Sequence, residues 1–501
     1  MRTCSKYFNL KRVYSWIHPF LLCFIFCIPS HATYYFTTEL EAAYKEIVQL
    51  KFTEATKRIT AEQQRDPHNG LPVYLRSLAE TTQLLFSEDE QQYQILKSSE
   101  SAYLKLLNAN NLTTSPYHNF CLAEVKLQWA FVKMKFNDEV NGALNTKQAL
   151  GLLNENLKTH PAFVPTKKSL GLLNVIIGSV PNSHAWIASS LGFKGNIEAG
   201  MNMLQEVIDS KNIYLQEALL FKIIAEQYIL NRDSKMESIK LLYAKNPNNI
   251  LYGYLYAAIL CKHSKSEEAL TVIERLPENA YESLAVIDYL HGDVLLQHGN
   301  YVESRIYFNR FLSEFKGKNL TKDATYKLFL SYWLMNADAD ANTYWQKITS
   351  VGQTTYESDK YAHKIAQANE LPNKQLAKIR LYTDGGLYEK GLEVFNETNL
   401  SDLLTKKDKI EYYYRAARLF QKSGKTKECM EYYVKVITLS TDTKNNYYFA
   451  PNSALQLGYI YVQLKNTPQA KYYFNLAIAY KNHEYENSIE QKAKIALHEI
   501  K

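Results

Sequence analysis

The residues best suited to binding a metal ion are Asp338, Asp340 and Asn342, whose alternate spacing matches the start of a calcium-binding loop. Such a loop presents oxygen ligands from alternate positions, turns sharply at a glycine and closes with a bidentate glutamate. Here Thr343 stands at the glycine position and Thr349 at the glutamate position. We therefore expect no calcium site at these residues, and no metal site elsewhere in the chain.

Two further groups have residue types that could serve catalysis but lack the necessary spacing. Gly385-Gly386 and Gly391 have no accompanying lysine and serine or threonine, which a phosphate-binding loop requires, so a turn is the better interpretation. His498-Glu499 has no second histidine one helical turn away, as a zinc protease would need. No serine or cysteine lies in a recognisable nucleophile motif. The sequence predicts a protein that is not an enzyme and has no cofactor.

Polar and aromatic residues at helical spacing near the C-terminus indicate a different kind of chemistry, the binding of a partner. Tyrosine and arginine are favoured anchors in protein interfaces. On two successive first helices, the positions that we expect to face outward into a concave groove are Tyr414, Arg418, Lys422, Asn452, Leu455, Tyr459 and Gln463. We predict that these residues contact a protein or peptide partner. The alternative is that they are ordinary solvent-facing residues.

A pattern of small and large residues indicates the helices that position this surface. The offsets typical of a tetratricopeptide repeat, a hairpin of two helices, are filled by Leu457, Gly458, Tyr461, Ala470, Phe474 and Ala477. Small residues at Gly458 and Ala470 let the two helices approach each other, and larger residues fill the space beside them. The sequence therefore predicts an all-α fold, a tetratricopeptide-repeat-like superhelix or solenoid of antiparallel helix hairpins.

The same pattern recurs earlier in the chain. Small first-helix residues and turn glycines of further units are found at Ala257, Gly292, Gly299, Ala417 and Gly424. Two less regular units cover 331–348 and 379–395, and their wider spacing predicts lengthened helices or inserted loops. A unit near the front of the chain contains Ala43, Ala55, Ile59 and Pro67. Stacked units of this kind share one continuous core.

The segment from Ser169 to Phe193 contains no Asp, Glu, Lys or Arg. Pro181 divides it into two short arms, and its glycines suit close packing of helices, so we expect a buried helix hairpin. The proline argues against a single straight transmembrane helix. The alternative to a buried hairpin is a surface that contacts lipid or an apolar partner.

The first 32 residues have the form of a secretory signal peptide. They contain four basic residues and no acid, then the apolar run from Pro19 to Ile28, then the small residues Ser30 and Ala32. The apolar run is too short to span a bilayer as a mature helix. We expect cleavage before Thr33 and export, to the periplasm or cell envelope if the source is bacterial. An uncleaved anchor is the alternative.

Charge and cysteine content limit the classes of partner and of cross-link. The chain of 501 residues carries a formal net charge of +7, and loss of the basic leader leaves about +3, which does not suggest a nucleic-acid partner. Cys121, Cys261 and Cys429 lie beyond the leader and far apart in sequence. Three cysteines cannot all pair within one chain, so we expect buried thiols rather than a disulfide framework.

Two stretches carry a family resemblance. The first comprises Leu170-Gly171, Leu173-Asn174, Ser179-Val180-Pro181, Leu191-Gly192-Phe193, Gly195 and Gly200. The second comprises Ala450-Pro451, Ala454, Leu457-Gly458, Ala470-Lys471, Ala477, Tyr480, Tyr485 and Glu486. Together they resemble the inclusion-body-clearance family and its animal tetratricopeptide-repeat relatives. The resemblance implies an all-helical repeat scaffold without known catalytic residues, from a family linked to lipid or aggregate handling.

We divide the chain into a signal peptide at 1–32, N-terminal helical repeats at 33–165, the uncharged signature hairpin at 166–205 and a C-terminal superhelix at 206–501. The predicted function is an exported, non-catalytic scaffold that binds a protein or peptide through the groove of the superhelix. The alternative is a lipid- or membrane-associated repeat protein that uses residues 169–193 as its contact surface.

Overall fold

A computed structural model describes residues 34–109, 114–180, 192, 194–230, 236–277, 280, 284–441 and 447–500. Every regular element within these ranges is a helix, which confirms the predicted all-α fold. The predicted signal peptide and its cleavage site lie outside the described residues.

The first part of the described chain opens with a hairpin and continues with longer helices. Its helices are α1 (Thr38–Val48), α2 (Phe52–Arg65), α3 (Leu71–Ser87), α4 (Glu90–Leu96), α5 (Ser99–Ala109), α6 (Pro116–Lys135), α7 (Glu139–Thr159), α8 (Thr166–Gly178), α9 (Ile197–Asp209) and α10 (Leu215–Ile224). Helix α10 continues into a π-helical turn at Ala225–Ile229. In the first hairpin the predicted core residues Ala43, Ala55 and Ile59 are fully buried.

The second part of the described chain carries the more regular hairpins. Its helices are α11 (Met236–Lys245), α12 (Ile250–Lys262), α13 (Ser266–Glu274), α14 (Val286–His298), α15 (Tyr301–Glu314), α16 (Thr321–Trp333), α17 (Asp338–Lys347), α18 (Glu357–Gln367), α19 (Lys374–Gly385), α20 (Tyr388–Glu397), α21 (Lys406–Lys422), α22 (Thr426–Leu439), α23 (Phe449–Gln463), α24 (Thr467–Ala479) and α25 (Glu486–Glu499). Hairpins form between α12 and α13, α14 and α15, α16 and α17, α19 and α20, α21 and α22, and α23 and α24. The wide spacing of the less regular units comes from α18, a helix inserted between two hairpins, and not from the expected inserted loops or lengthened helices.

The hairpins nest through small residues, as the sequence pattern predicts. On α23, a Cβ atom at Gly458 would overlap the ring of Phe474 on α24. On α14, a Cβ atom at Gly292 would lie 3.0 Å from Phe308 Cδ1 on α15. Ala417, the small residue of α21, is fully buried. The absence of a side chain at these positions therefore sets how closely the two helices of a hairpin approach.

The turns inside several hairpins contain one residue in the left-handed region. Gly299 and Gly424 occupy this position with φ of 84° and 76°. In other hairpins the same position is filled by Ser264, Asn336 and Lys465, with φ of 58°, 60° and 56°. Glycine adopts this conformation at least cost, and the remaining residues adopt it with moderate strain.

Helix α8, which carries the start of the uncharged segment, is buried in the structure. Leu170, Leu173 and Val175 each expose 2% of their surface or less. The helix packs on α9 with glycines facing each other: a Cβ atom on Gly200 would lie 2.5 Å from the carbonyl oxygen of Gly171. In the described part of the segment most apolar side chains are therefore buried, and Ile176 and Val180 are half-buried. The predicted second arm, 181–193, lies outside the described residues apart from residue 192.

Buried clusters connect successive hairpins. One cluster runs from Leu296 on α14 to Ala496 on α25, and another runs from Leu40 on α1 to Ala218 on α10. The three cysteines of the described chain are free thiols; two are buried and the third, Cys261, is half-buried. Among the described helices, none has the length and apolar character that crossing a membrane requires.

Contacts between distant parts of the sequence bring α25 against α8 and α9. Gln491 Nε2 on α25 donates a hydrogen bond to the carbonyl oxygen of Ser179 over 2.8 Å. Ile495, one turn further on, packs against an apolar cluster formed by Val175, Met201, Ala225 and Leu230. The C-terminal helix therefore closes onto the signature hairpin.

Candidate partner-binding surface

Helices α19, α21 and α23 are the first helices of three hairpins, and they lie side by side. Side-chain caps fix where two of them begin, because Asn373 accepts hydrogen bonds from amides at the start of α19 and Thr405 does so for α21. One face of each helix packs into the core and carries a fully buried residue, which is Ile379 on α19, Ala417 on α21 and Leu457 on α23. The opposite face of the three helices is polar. We call it the first-helix wall and define it by Arg380, Asp384, Arg418, Gln421, Asn452 and Gln456.

Side chains of the first-helix wall bridge neighbouring helices. Arg418 Nη1 on α21 donates a hydrogen bond to Asp384 Oδ1 on α19 over 2.8 Å. Asn452 Nδ2 on α23 donates one to the hydroxyl oxygen of Tyr414 on α21 over 2.5 Å. These bonds link three hairpins, so the wall is held in one arrangement before any partner binds.

Two of the residues predicted to face a partner are buried instead. Tyr414 and Leu455 each expose only 1% of their surface. The ring of Tyr414 packs on those of Tyr448 and Phe449, with centroids 5.5 and 5.1 Å away. The predicted outward orientation of these two residues is wrong, because spacing along one helix does not indicate which positions the next hairpin covers.

The other five predicted residues reach the surface to different degrees. The side chain of Arg418 is 26% exposed, and Asn452 is half-buried beside it. Lys422 and Gln463 are exposed near the ends of α21 and α23. Tyr459 is half-buried, and its ring meets a ring of α24 edge to face. The structure thus brings Arg418 and Asn452 together on the wall, and contact with a partner stays a prediction for all five.

Asp384 lies between two arginines of the wall. Arg418 bonds to Oδ1, and Arg380 Nε lies 3.6 Å from Oδ2. Burial acts to raise the pKa of this carboxyl, but the charges of Arg418 and Arg380 outweigh burial and hold the pKa below its usual range. Asp384 is therefore ionised at neutral pH, and the three side chains together carry one net positive charge.

A group of tyrosines around Arg380 was missed by sequence reasoning. The guanidinium carbon of Arg380 lies 5.4 Å from the ring centroid of Tyr361 on α18. The centroids of Tyr326, Tyr448 and Tyr485 lie 6.0, 6.2 and 6.2 Å from that same ring. We name these five residues the Arg380 recess. They come from five separate helices or helix starts, and only Tyr485 is singled out in the sequence, as part of the family resemblance.

Burial keeps the hydroxyl groups of the recess protonated. It raises the pKa of Tyr361 to about 12, and it also raises the pKa of Tyr326 and Tyr485. The charge of Arg380 lowers the pKa of all three hydroxyls, but burial outweighs this effect. At neutral pH the recess therefore presents hydroxyl groups that can donate hydrogen bonds beside a cationic guanidinium.

The motifs that suggested metal or phosphate chemistry have ordinary structural roles. Asp338 and Asp340 lie in the first turn of α17, so the residues that matched a calcium loop are helical. Gly385 ends α19, and Gly386 forms the left-handed turn after it with φ of 84°. Across the ranges that the structure describes, no three His, Cys, Asp or Glu side chains are grouped so that they could hold a metal ion.

Comparison with known proteins identifies the repeat. Residues 410–443, which cover most of α21 and α22, match the tetratricopeptide repeat family. No curated protein matches the chain. The narrower resemblance to the inclusion-body-clearance family stays an expectation.

Similar solved structures include several helical-repeat chains. The tetratricopeptide-repeat domain of P58(IPK) is 12% identical, with 92% of this chain and 96% of that chain covered and a TM-score of 0.22. The human IFIT1 dimer with PPP-AAAA is 14% identical, with coverage of 86% and 94% and a TM-score of 0.33. The APC/C hetero-tetramer Cut9-Hcn1 is 10% identical, with coverage of 93% and 96% and a TM-score of 0.27. The fold assignment rests on the hairpins and on the matched repeat.

Proposed function

We propose that the chain, which carries a tetratricopeptide repeat at residues 410–443, is an exported, non-catalytic scaffold that binds a protein or peptide partner on the first-helix wall. Stacked hairpins create an extended surface, and repeat proteins use such surfaces to bind partners along several units at once. An extended segment or a helix of the partner fits a surface of this kind.

The observation that carries the proposal is the bridge between Arg418 and Asp384 on neighbouring first helices. Arg418 uses Nη1 for this bridge, and its side chain is 26% exposed. The guanidinium fork has further N–H donors that a partner can reach. An arginine already held by a neighbouring carboxylate loses less conformational entropy when it binds, so it suits the role of an interface anchor.

Export is supported by the N-terminal leader, with its basic start, apolar run and small residues before Thr33. The proposal is tested by measuring the mass of the protein isolated from its native host. A chain that begins at Thr33 supports export with cleavage. A chain that retains Met1 to Ala32 and remains in the cytoplasm contradicts export, and it leaves the binding role to be tested separately.

Partner binding is tested by affinity capture from the native cell envelope, followed by mass spectrometry and by binding measurements with each purified candidate. The wall variant combines Arg418→Ala with Asn452→Ala. The control combines Lys427→Ala with Glu431→Ala, which are exposed on the second helix α22. We expect the control to bind as the native protein does and the wall variant to bind about tenfold or more weakly. Equal binding by all three proteins would remove the first-helix wall as the site.

A further inference from the structure

We propose that the folded protein holds one proton at neutral pH on the buried carboxyl group of Glu124, and that losing this proton at higher pH weakens the joint between α1, α6, α8 and α10. This inference is independent of partner binding and concerns the interior of the N-terminal repeats. It rests on the contacts, the charges and the burial of one polar cluster.

The polar cluster lies where four helices meet. We name it the Lys168 cluster and define it by Tyr44 on α1, Glu124 on α6, Lys168 and Ser169 on α8, and Glu217 on α10. Lys168 Nζ donates hydrogen bonds to Glu124 Oε2 over 2.7 Å and to Glu217 Oε1 over 3.0 Å. The Tyr44 hydroxyl donates to Glu217 Oε2, and the Ser169 hydroxyl contacts Glu124 Oε1. Lys168 therefore joins α6 and α10 through α8.

The charges of the Lys168 cluster do not cancel if both carboxyl groups are ionised. Within the ranges that the structure describes, Lys168 is the one cation that pairs with Glu124 or Glu217. Burial acts to lower the pKa of Lys168, but the two carboxylates outweigh burial and raise the pKa, so the ammonium is charged. Two carboxylates against one ammonium would leave one negative charge.

Other titratable groups around the cluster do not supply a compensating charge. They are fully or almost fully buried and come from four places: Tyr44 on α1, Tyr74 on α3, Cys121 on α6 and Tyr214 before α10. Burial raises the pKa of all four groups well above the ordinary value, so they are neutral at neutral pH. The excess negative charge would thus have no partner inside the protein.

An unpaired charge is costly at this depth. The side chains of Lys168, Glu124 and Glu217 are only 1%, 5% and 14% exposed. Nζ of Lys168 lies 5.7 and 5.2 Å from the ring centroids of Phe120 and Tyr214, so the surroundings are largely apolar. A carboxyl group in such a place avoids the cost of its charge by taking up a proton.

Glu124 is the more buried of the two carboxyl groups and is therefore the site of the proton. Burial raises the pKa of Glu124 against the opposing charge of Lys168, and the negative charge of Glu217 adds to the increase. The protonated Oε1 can donate to the hydroxyl oxygen of Ser169, because a hydroxyl accepts hydrogen bonds and an ammonium does not.

The proton makes the joint sensitive to pH. The pKa of a glutamate in the unfolded chain is about 4.5, and that of Glu124 is higher in the folded state, so the folded chain binds the proton more readily. The stability due to this proton is fully present below about pH 4.5 and is lost as pH rises through the folded pKa. Above the folded pKa, a buried negative charge remains between α6, α8 and α10.

Infrared difference spectroscopy of the purified full-length protein at pH 7 tests the inference, because a carboxylic acid and a carboxylate absorb in different bands. We expect the native spectrum minus that of Glu124→Gln to show a carboxylic-acid band that fades as pH is raised. Glu217→Gln leaves one carboxylate beside Lys168, so Glu124 should release its proton and this variant should lose the band too. The control Glu155→Gln makes the same substitution at an exposed position of α7 and should keep the band.

Urea denaturation between pH 5 and pH 9 measures the effect on the joint. We expect the free energy of unfolding of the native chain to fall with rising pH relative to that of Glu124→Gln, and Glu155→Gln to follow the native chain. If Glu124→Gln does not fold, the loss of the band in Glu217→Gln still tests the proton. The inference is overturned if the native protein shows no carboxylic-acid band that these variants remove, if Glu217→Gln keeps the band, or if the stability curves of the native chain and Glu124→Gln run parallel.

Discussion

At the scale of single residues, the missing side chain of Gly458 decides how α23 and α24 pack. A Cβ atom there would overlap the fully buried ring of Phe474. We predict that Gly458→Ala lowers the free energy of unfolding by about 1–3 kcal/mol, because the overlap outweighs the gain in helix propensity. Urea denaturation measures the change. The matched control is Gly151→Ala on α7, where no atom lies within 4 Å, and this substitution should raise stability by up to about 1 kcal/mol. Equal stabilisation by both substitutions would contradict the packing described.

His291 gives a prediction for the dependence of stability on pH. Burial, aided by the charge of Arg310, lowers the pKa of His291 to about 4, whereas an unfolded histidine titrates near 6.5. The unfolded chain therefore binds a proton more readily, and the stability due to neutral His291 is present above about pH 6.5 and lost as pH falls towards 4. This loss amounts to roughly 3 kcal/mol.

The variant His291→Phe isolates this contribution, because phenylalanine keeps a ring against Tyr307, whose centroid lies 3.8 Å from that of His291. We expect the unfolding free energy of His291→Phe, measured by urea denaturation between pH 7 and pH 4, to fall less steeply than that of the native chain. Parallel curves for the two proteins would show that His291 titrates normally in the folded state.

At the scale of helices, α8 and α9 approach each other backbone to backbone, whereas Gly458 on α23 faces the ring of Phe474. A Cβ atom on Gly200 would lie 2.5 Å from the Gly171 carbonyl oxygen and 2.9 Å from Asn174 Cβ. Backbone atoms cannot move aside as a ring can, so we predict that Gly200→Ala costs about 3 kcal/mol, more than Gly458→Ala does. Thermal unfolding of the two variants compares them directly. A smaller loss for Gly200→Ala would contradict the backbone contact between α8 and α9.

The hairpins could be predicted from the sequence because their signal is local. Small residues such as Gly292 and Gly458 meet partners only one helix away, and one pattern therefore reports both position and contact. The inserted helix α18 and the packing of α9 on α8 could not be predicted in this way, because no pattern within one hairpin indicates them. The predicted orientation of Tyr414 is wrong for the same reason, because the rings that cover it, those of Tyr448 and Phe449, belong to the next hairpin.

Prediction of the candidate surface from the sequence is limited in the same way, because its residues come from separate hairpins. Arg418 and Asn452 could be placed on one wall because each sits at a repeated offset in a regular hairpin. The Arg380 recess could not, because Tyr326, Tyr361 and Tyr485 meet only after several hairpins have stacked. Local periodicity thus predicts a repeat, whereas a site built from several repeats depends on how the hairpins stack on one another.

At the scale of the whole molecule, the contact between α25 and the signature hairpin joins the last described helix to α8 and α9, which lie far from it in sequence. It combines the hydrogen bond from Gln491 to Ser179 with the packing of Ile495 on the cluster that contains Val175 and Met201. Tyr485, at the start of α25, also belongs to the Arg380 recess. A change that loosens α25 should therefore affect both the signature hairpin and the recess.

We predict that Ile495→Asp releases α25 from α8 and α9, because a carboxylate cannot remain among apolar side chains without a large desolvation cost. Hydrogen exchange measured by mass spectrometry should become faster in peptides from α25, α8 and α9, and stay unchanged in α21 and α22. The control His498→Asp places the same charge at an exposed position of the same helix and should leave exchange as it is. If exchange in α8 and α9 is identical in Ile495→Asp and the native chain, α25 does not hold the signature hairpin in solution.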